Sequence, residues 1–502
     1  MFKNIITSLV IITTPQIVLA KEDFSQLTQF IEQTKEVSGQ ASGTAVAIVK
    51  DGKIIYQENF GFSNIAEQKP VTKDTSFYVA STTKPFYSMS TLVDINNAQL
   101  KVDDSLAELF PKGYFKHLSD EVINQVTVKD LLIHGSGIES EELGWAVAYT
   151  GLHDLELRKS LLSETTFSLK DVKYGEFNYT NFGYNLLSVW YDLNHKITWQ
   201  DSIQKNVYTP LGMNHTTSIM SDAKNNEGWD VASPYSFVSS NKNEAIYLEK
   251  VDKTMHSAGG MVTSATDMAQ MVLAQLGKGK VNGKQLLPAK LIEQSQTQQI
   301  KGEGKFDEFL RDGYAWGWFT GNYKGKRMLH HLGGFAGTHA LVSFMPEQNI
   351  GVIILNNEGH LSRKMTGIAS SIAYDILLDQ SNGEQLAKEG LNNITAYVEK
   401  FPAMFAGHYD KLKAREWLLS KPNKEYVGIY SHPLLGEIKV ELDKYNVFNF
   451  SWGQLKTTAL AYTKPDSMRV EMGMYSGSPV QFLLSNKKVS SLVYDGNTFQ
   501  KQ

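Results

Sequence analysis

Ser81-Thr82-Thr83-Lys84 sets a hydroxyl and an amine three residues apart. On a helix that spacing puts both on one face, about one turn from each other, so the amine can reach the hydroxyl. A serine hydroxyl is a poor nucleophile until a neighbour takes its proton, and a lysine in this position is a candidate to take it. The spacing alone is not selective, because Ser-x-x-Lys recurs at Ser202, Ser221, Ser239 and Ser485. Context sets the first apart. It follows the strand-like run Phe77-Tyr78-Val79-Ala80, and Pro85 stands where the first turn of a helix tolerates a missing N–H. Phe86, Met89, Leu92, Val93 and Ile95 then surround the helix with apolar side chains, the pattern of a buried element. Placing a Ser and a Lys at the start of such a helix is costly without a purpose. The plain alternative is a capping Ser beside a surface Lys.

Tyr179-Thr180-Asn181 is the one Tyr-x-Asn in the chain. A phenol of ordinary pKa about 10 can relay protons when a lysine ammonium steadies its phenolate, and an Asn amide offers both a donor and an acceptor. Read locally, the same residues are a loop Tyr and an Asn capping the next helix. His331-Leu332-Gly333-Gly334 is the one His-x-Gly. A strand ending in paired glycines can bring a ligand close to backbone N–H groups, as oxyanion binding requires. Adjacent His330 and His331 raise the question of a metal, but no third ligand stands at a suitable spacing and His-Glu-x-x-His is absent. No metal and no cofactor are expected.

These residues need a frame. Residues 43–59 form two β-branched runs joined at Asp51-Gly52, a dipeptide suited to a tight hairpin. Residues 338–357 form a second hairpin turning at Pro346 to Asn349, after strand-like stretches at 313–320 and 326–332. The intervening sequence is mostly helical in pattern. Two hairpins bracketing a helical insert imply an antiparallel sheet built from both ends of one α+β domain, closed by a helix at Ile372 to Leu378 and broken at Ser381-Asn382-Gly383. From Glu384 to Lys421 the pattern is helical and charged. Short strands with turn residues between them then follow to the C-terminus, predicting a small all-β barrel or sandwich. The expected division is 1–20 signal segment, 21–380 α+β domain, 381–421 helical linker and 422–502 all-β module.

Composition narrows the function classes. The 502 residues are 42% hydrophobic and 20% charged, an ordinary globular balance that excludes disorder. A net charge of -4 without a basic stripe argues against nucleic acid as a partner. The absence of cysteine removes disulfides, thiolate metal sites and a thiol nucleophile together. Lys3 followed by an apolar run from Ile5 to Leu19 and by Ala20 fits a cleaved secretory signal and is short for a membrane span. Export to the periplasm or the medium is therefore expected, with no stable membrane span after cleavage. The mature charge would be -5, since Lys3 is the one charged residue removed.

Taken together and in this order, the three motifs resemble those of the serine β-lactamase and penicillin-binding-protein superfamily. The likeness is strongest to its class C-type branch of β-lactamases, D-alanyl-D-alanine carboxypeptidases, D-amino-acid peptidases and esterases. It runs from residue 43 to about 380 and includes residues 129–138, 208–213 and 257–271. The resemblance implies a β-lactamase/transpeptidase-like fold in which Ser81 is the acylated nucleophile, Lys84 the base or proton store and Tyr179 the shuttle to the leaving group. Asn181 would hold the substrate amide, His331 and Gly333 would line the opposite wall, and the backbone N–H groups of Ser81 and Gly334 would form the oxyanion hole. Whether Lys84 or Tyr179 is the acylation base stays open. His331 stands where class C β-lactamases carry a lysine. As a partly cationic imidazole it would bind a substrate carboxylate more weakly, with affinity falling between pH 6 and 8. The C-terminal strands resemble the lipocalin-like module of some relatives. The substrate implied is a small molecule or a D-amino-acid-containing peptide, cleaved at an amide. A carboxylesterase, a weak β-lactamase and a non-turnover penicillin-binding or sensor module are the alternatives.

Overall fold

Asp51 and Gly52 both take positive φ, 49° and 77°, and so turn Thr44–Lys50 (β1) back on Lys53–Phe60 (β2). The computed structural model describes residues 22–139, 141–167, 173–194, 197–473 and 477–502; the signal-like segment 1–20 lies outside them. Six further strands complete the central sheet: Ile300–Phe306 (β3), Phe309–Tyr314 (β4), Phe319–Tyr323 (β5), Lys326–Phe335 (β6), Thr338–Met345 (β7) and Ile350–Asn356 (β8). Their order is β3-β4-β5-β6-β7-β8-β1-β2. Thr44 pairs with Asn356 and Lys50 with Ile350, so the two ends of the domain meet in the middle of one antiparallel sheet, as the hairpin pattern implied. Residues 313–320 are not one strand. Gly317 at φ 82° and the Ala315 N–H to Trp318 carbonyl bond of 2.7 Å turn β4 into β5.

Alternation along β1 divides the core between the two faces of the sheet. Ala45, Ala47 and Val49 join a cluster with Phe86, Met89 and Leu92 of Thr83–Asn96 (α2) and with Met271 and Val272 of Ala265–Leu276 (α5). Val46 and Ile48 join the opposite cluster, with Leu27 and Phe30 of Ser25–Ser38 (α1), Ile372 of Ser362–Leu377 (α6) and Ile394 of Gly383–Lys413 (α7). Two elements of the insert matter for the site, Glu141–Tyr149 (α3) and Phe182–Asn194 (α4).

The C-terminal strands are Gly428–His432 (β9), Gly436–Leu442 (β10), Phe448–Trp452 (β11), Leu455–Thr458 (β12), Leu460–Ala461 (β13), Ser467–Val470 (β14), Ser478–Ser485 (β15), Lys488–Tyr494 (β16) and Asn497–Lys501 (β17). They form one sheet ordered β12-β11-β10-β9-β17-β16-β15-β14-β13. Its two edges, β12 and β13, are consecutive in the chain, so the sheet curls into a nearly closed barrel. Tyr430, Phe450, Phe482 and Phe499 are buried among its strands. The barrel docks on the insert: Gln454 donates from its backbone N to Thr150 O and from Nε2 to Tyr149 O, both at 2.9 Å. The Trp452 ring stacks on Trp145 of α3 at 5.5 Å between centres. Trp145 stacks on Tyr149 at 4.8 Å, and Tyr149 lies 4.8 Å from Phe335 at the end of β6.

Candidate active site

Ala80 takes a positive φ of 46°, a strained conformation for a residue with a Cβ. It opens a single 3₁₀ turn, Ala80–Thr82, that feeds α2. The turn is tied down by the Val79 N–H to Met261 carbonyl bond of 3.1 Å. The Thr82 and Thr83 hydroxyls donate to the carbonyls of Val79 and Ala80 at 2.9 and 2.7 Å. Ser81 is thereby held half-buried at the mouth of the helix, with Lys84 fully buried below it.

The Lys84 Nζ lies 3.2 Å from Ser81 Oγ, 2.7 Å from Asn181 Oδ1 and 2.9 Å from the Ala258 carbonyl. Burial drives its pKa well below the usual lysine range, and no carboxylate offsets that effect. A neutral amine has two N–H bonds and one lone pair. Asn181 Oδ1 and the Ala258 carbonyl can only accept, so in the neutral form they take both N–H bonds and leave the lone pair to face the Ser81 hydroxyl. That neutral form, which burial favours, is the one a general base needs.

Tyr179 exposes 37% of its surface, yet its hydroxyl interacts with Ser81 within the site. Desolvation holds its pKa above the usual tyrosine value, opposed by the Ser81 hydrogen bond and the Arg311 charge. Its ring centre is 4.7 Å from Lys84 Nζ. Asn181 sits two residues on, immediately before α4. Ser81, Lys84, Tyr179 and Asn181 therefore converge, although 97 residues separate Lys84 from Asn181.

On the opposite wall His331 is held by both of its ring nitrogens. Its Nδ1 lies 2.7 Å from the Leu332 carbonyl, an acceptor only, so Nδ1 carries the proton. Its Nε2 then accepts from the Tyr314 hydroxyl at 3.1 Å. The ring is 1% exposed, and burial pushes its pKa well below 6.5. Both ring nitrogens of His331 are thus engaged within the protein, and burial disfavours its charged form.

Gly333 is a glycine for steric reasons. A Cβ there would stand 1.9 Å from the Val79 carbonyl oxygen and 3.2 Å from the Ser81 nitrogen, whereas one at Gly334 meets nothing within 4 Å. Gly333→Ala is expected to push β6 off the nucleophile turn and cost at least about 10²-fold in kcat/KM, with a lower melting temperature. Gly334→Ala is expected to melt like the parent. Equal melting of the two variants would count against this packing argument.

Comparison with known proteins accords with this geometry. Residues 26–373 match the family model described as Beta-lactamase. The chain belongs to the Beta-lactamase family. This member of the family is similar to Protein flp of Staphylococcus aureus (strain NCTC 8325 / PS 47), at 23% identity over 347 residues, 68% of this chain and 64% of the relative. It thus spans a little under two thirds of that relative's length. It is also similar to Unguisins hydrolase ungD' of Aspergillus campestris, at 25% identity over 441 residues, 84% of this chain and 78% of the relative. Among solved structures, the octameric penicillin-binding protein homologue from Pyrococcus abyssi matches with a TM-score of 0.61 and 21% identity, over 95% of this chain and 100% of that one. SurE matches with a TM-score of 0.52 and 18% identity, over 95% and 98%. The fold is that of the serine β-lactamase and penicillin-binding-protein superfamily.

Three residues of this Beta-lactamase site escaped the motif reading. His134, at φ 64°, accepts the Asn178 N–H at its carbonyl (2.8 Å) and the Thr180 N–H at Nδ1 (3.3 Å). Its ring lies 4.5 Å from that of Tyr179, so it holds the tyrosine loop from behind. Tyr314 fixes the His331 tautomer. Arg311 lies over the Phe319 ring at 3.7 Å, donates to His330 Nε2 at 3.0 Å and acts on Tyr179 through its charge. Only His134, in the quoted stretch 129–138, left a signal in the sequence, a buried-type run ending in His-Gly-Ser-Gly.

Proposed function

We propose that this protein is a serine hydrolase that cleaves amide bonds of D-amino-acid-containing peptides through a Ser81 acyl-enzyme, and that it acts outside the cytoplasm. The observation that carries the reading is the buried Lys84 Nζ, held 3.2 Å from Ser81 Oγ by Asn181 Oδ1 and the Ala258 carbonyl. In acylation Lys84 takes the Ser81 proton as Oγ attacks the carbonyl carbon. The oxyanion is met by the backbone N–H groups of Ser81 and Gly334. Tyr179, kept protonated by its raised pKa, gives its proton to the leaving nitrogen as the C–N bond breaks. The Lys84 ammonium so formed steadies the phenolate beside it. In deacylation a water adds to the acyl carbon and gives its proton to Tyr179, while Lys84 returns its proton to the departing Ser81 oxygen. Base, nucleophile and acid all end as they began.

Arg311 supports a peptide substrate. Among the described residues it pairs with no carboxylate, it remains charged with a pKa lowered by desolvation to about 10, and it stands on the Tyr179 side, where the leaving group departs. A C-terminal carboxylate on the leaving residue fits that position better than it fits His331, whose ring nitrogens are both engaged. The similarity to an unguisins hydrolase accords with hydrolysis, and residues 1–20 support export.

The test is a panel of D-alanyl peptides, D-amino-acid amides, their L-counterparts, nitrophenyl esters and a chromogenic cephalosporin. D-configured amides are expected to give the highest kcat/KM. Turnover of esters alone would replace the peptidase reading with a carboxylesterase. A lasting penicillin adduct without turnover of anything would make the protein a binding module.

A further inference from the structure

Strand β6 orders the cleft from one end to the other. At His331 its ring is 6.1 Å from that of Tyr179, which marks the leaving-group end. At Gly333 it touches Val79 and Ser81, the point of attack. Two residues on, about 7 Å at the rise of an extended strand, the Phe335 ring packs edge-on against Tyr78 at 5.5 Å. That end belongs to the acyl portion of a substrate.

Beyond Phe335 opens a cavity of about 370 Å³. Tyr78, Met220, Trp229, Leu248, Phe335 and Ala336 give it one apolar, largely aromatic wall, and polar and charged side chains make up the rest of the lining. Its charges are paired among themselves: Lys69 with Asp230 at 2.9 Å, and Lys224 with Glu249. Glu67 stands exposed at the lip. Lys250 has no carboxylate partner among the described residues and is buried. It donates to the carbonyls of Ala148 (2.6 Å) and Thr254 (3.4 Å), with Nζ 3.9 Å from the centre of the Phe335 ring. Two carbonyl acceptors match the two N–H bonds of a neutral amine, the form that burial favours here. Lys250 Nζ is therefore already engaged by two carbonyls and the Phe335 ring, and the aromatic wall is the part of the cavity left to take a side chain.

We propose that this cavity is the acyl-side subsite, holding the side chain of the residue whose carbonyl Ser81 attacks, and that it takes a large apolar side chain, aromatic above all. The proposal rests on the Ser81 acyl-enzyme reading and adds a substrate class to it. Packing a large side chain against that aromatic wall in place of a methyl group is expected to raise kcat/KM by about 10- to 100-fold.

The test uses nitrophenyl esters of N-blocked D-phenylalanine, D-alanine and D-aspartate with the full chain. The parent is expected to prefer the phenylalanyl over the alanyl ester by about 10- to 100-fold. Ala336→Trp, which fills the cavity, is expected to bring that ratio toward one, and Trp229→Ala, on a partly exposed loop, to lower it through KM. The second variant keeps the test open if the first does not fold. A ratio near one in the parent, or one that neither variant moves, overturns the proposal and leaves the acyl-enzyme reading standing. So does a preference for the aspartyl ester, which would assign the cavity to an anion on Lys250. Failure of the parent to turn over any ester brings down the acyl-enzyme reading and this proposal with it.

Discussion

Ser81→Ala is expected to lower kcat by about 10⁶-fold, the scale on which a serine hydrolase depends on its nucleophile. The residual rate would come from binding and oxyanion donors, which stay in place. Because Ser81 is half-buried and its hydroxyl is not the sole partner of Lys84, the variant is expected to melt with the parent. Intact mass after exposure to a penicillin reports the chemistry directly: an adduct on the parent and none on Ser81→Ala. An adduct that persists in the variant would place the nucleophile elsewhere.

The second large effect concerns Lys84. Lys84→Met is expected to cost about 10²- to 10⁴-fold in acylation, the usual worth of a positioned general base. It also leaves Asn181 Oδ1 and the Ala258 carbonyl without their donor, at about 1–3 kcal/mol for each acceptor that stays buried and unpaired. Lys84→Arg separates base from charge, since a guanidinium stays protonated in proteins. It is expected to be as inactive as Lys84→Met. The pH profile gives the sign independently. The working form of Lys84 is neutral, so kcat/KM falls as pH drops through its pKa. Desolvation lowers that pKa from 10.5, so the acid limb must lie well below that value. A limb at 10 or above, or an active Lys84→Arg, would refute Lys84 as the base.

What the sequence revealed of this site follows the range of its interactions. Ser81 with Lys84 and Tyr179 with Asn181 are local spacings on a helix start and a tight loop, and both could be read directly. The β1–β2 hairpin was as plain, because Asp51-Gly52 is a turn in almost any context. The surroundings of His331 were not legible, because they are set by Tyr314 and by burial. Tyr314 reaches it from β4, a strand that with β3 spans residues 300–314. That stretch is rich in Gly and charge, with no clean alternation to announce a strand before Gly313. Arg311 was hidden for the same reason. The cavity beyond Phe335 draws on Tyr78, Trp229 and Lys250, positions whose convergence depends on the insert folding back over the sheet.

Of the chain's eight tryptophans, Trp145 and Trp452 stand 5.5 Å apart with their planes 27° from parallel. Two indoles that close share their electronic excitation, so the pair should absorb and rotate light as one coupled chromophore. Because one ring belongs to the barrel and the other leads through Tyr149 to Phe335, the seating of the C-terminal barrel has its own spectrum. The near-ultraviolet circular dichroism of this protein can thus report, without any label, on the structure at the acyl end of its cleft.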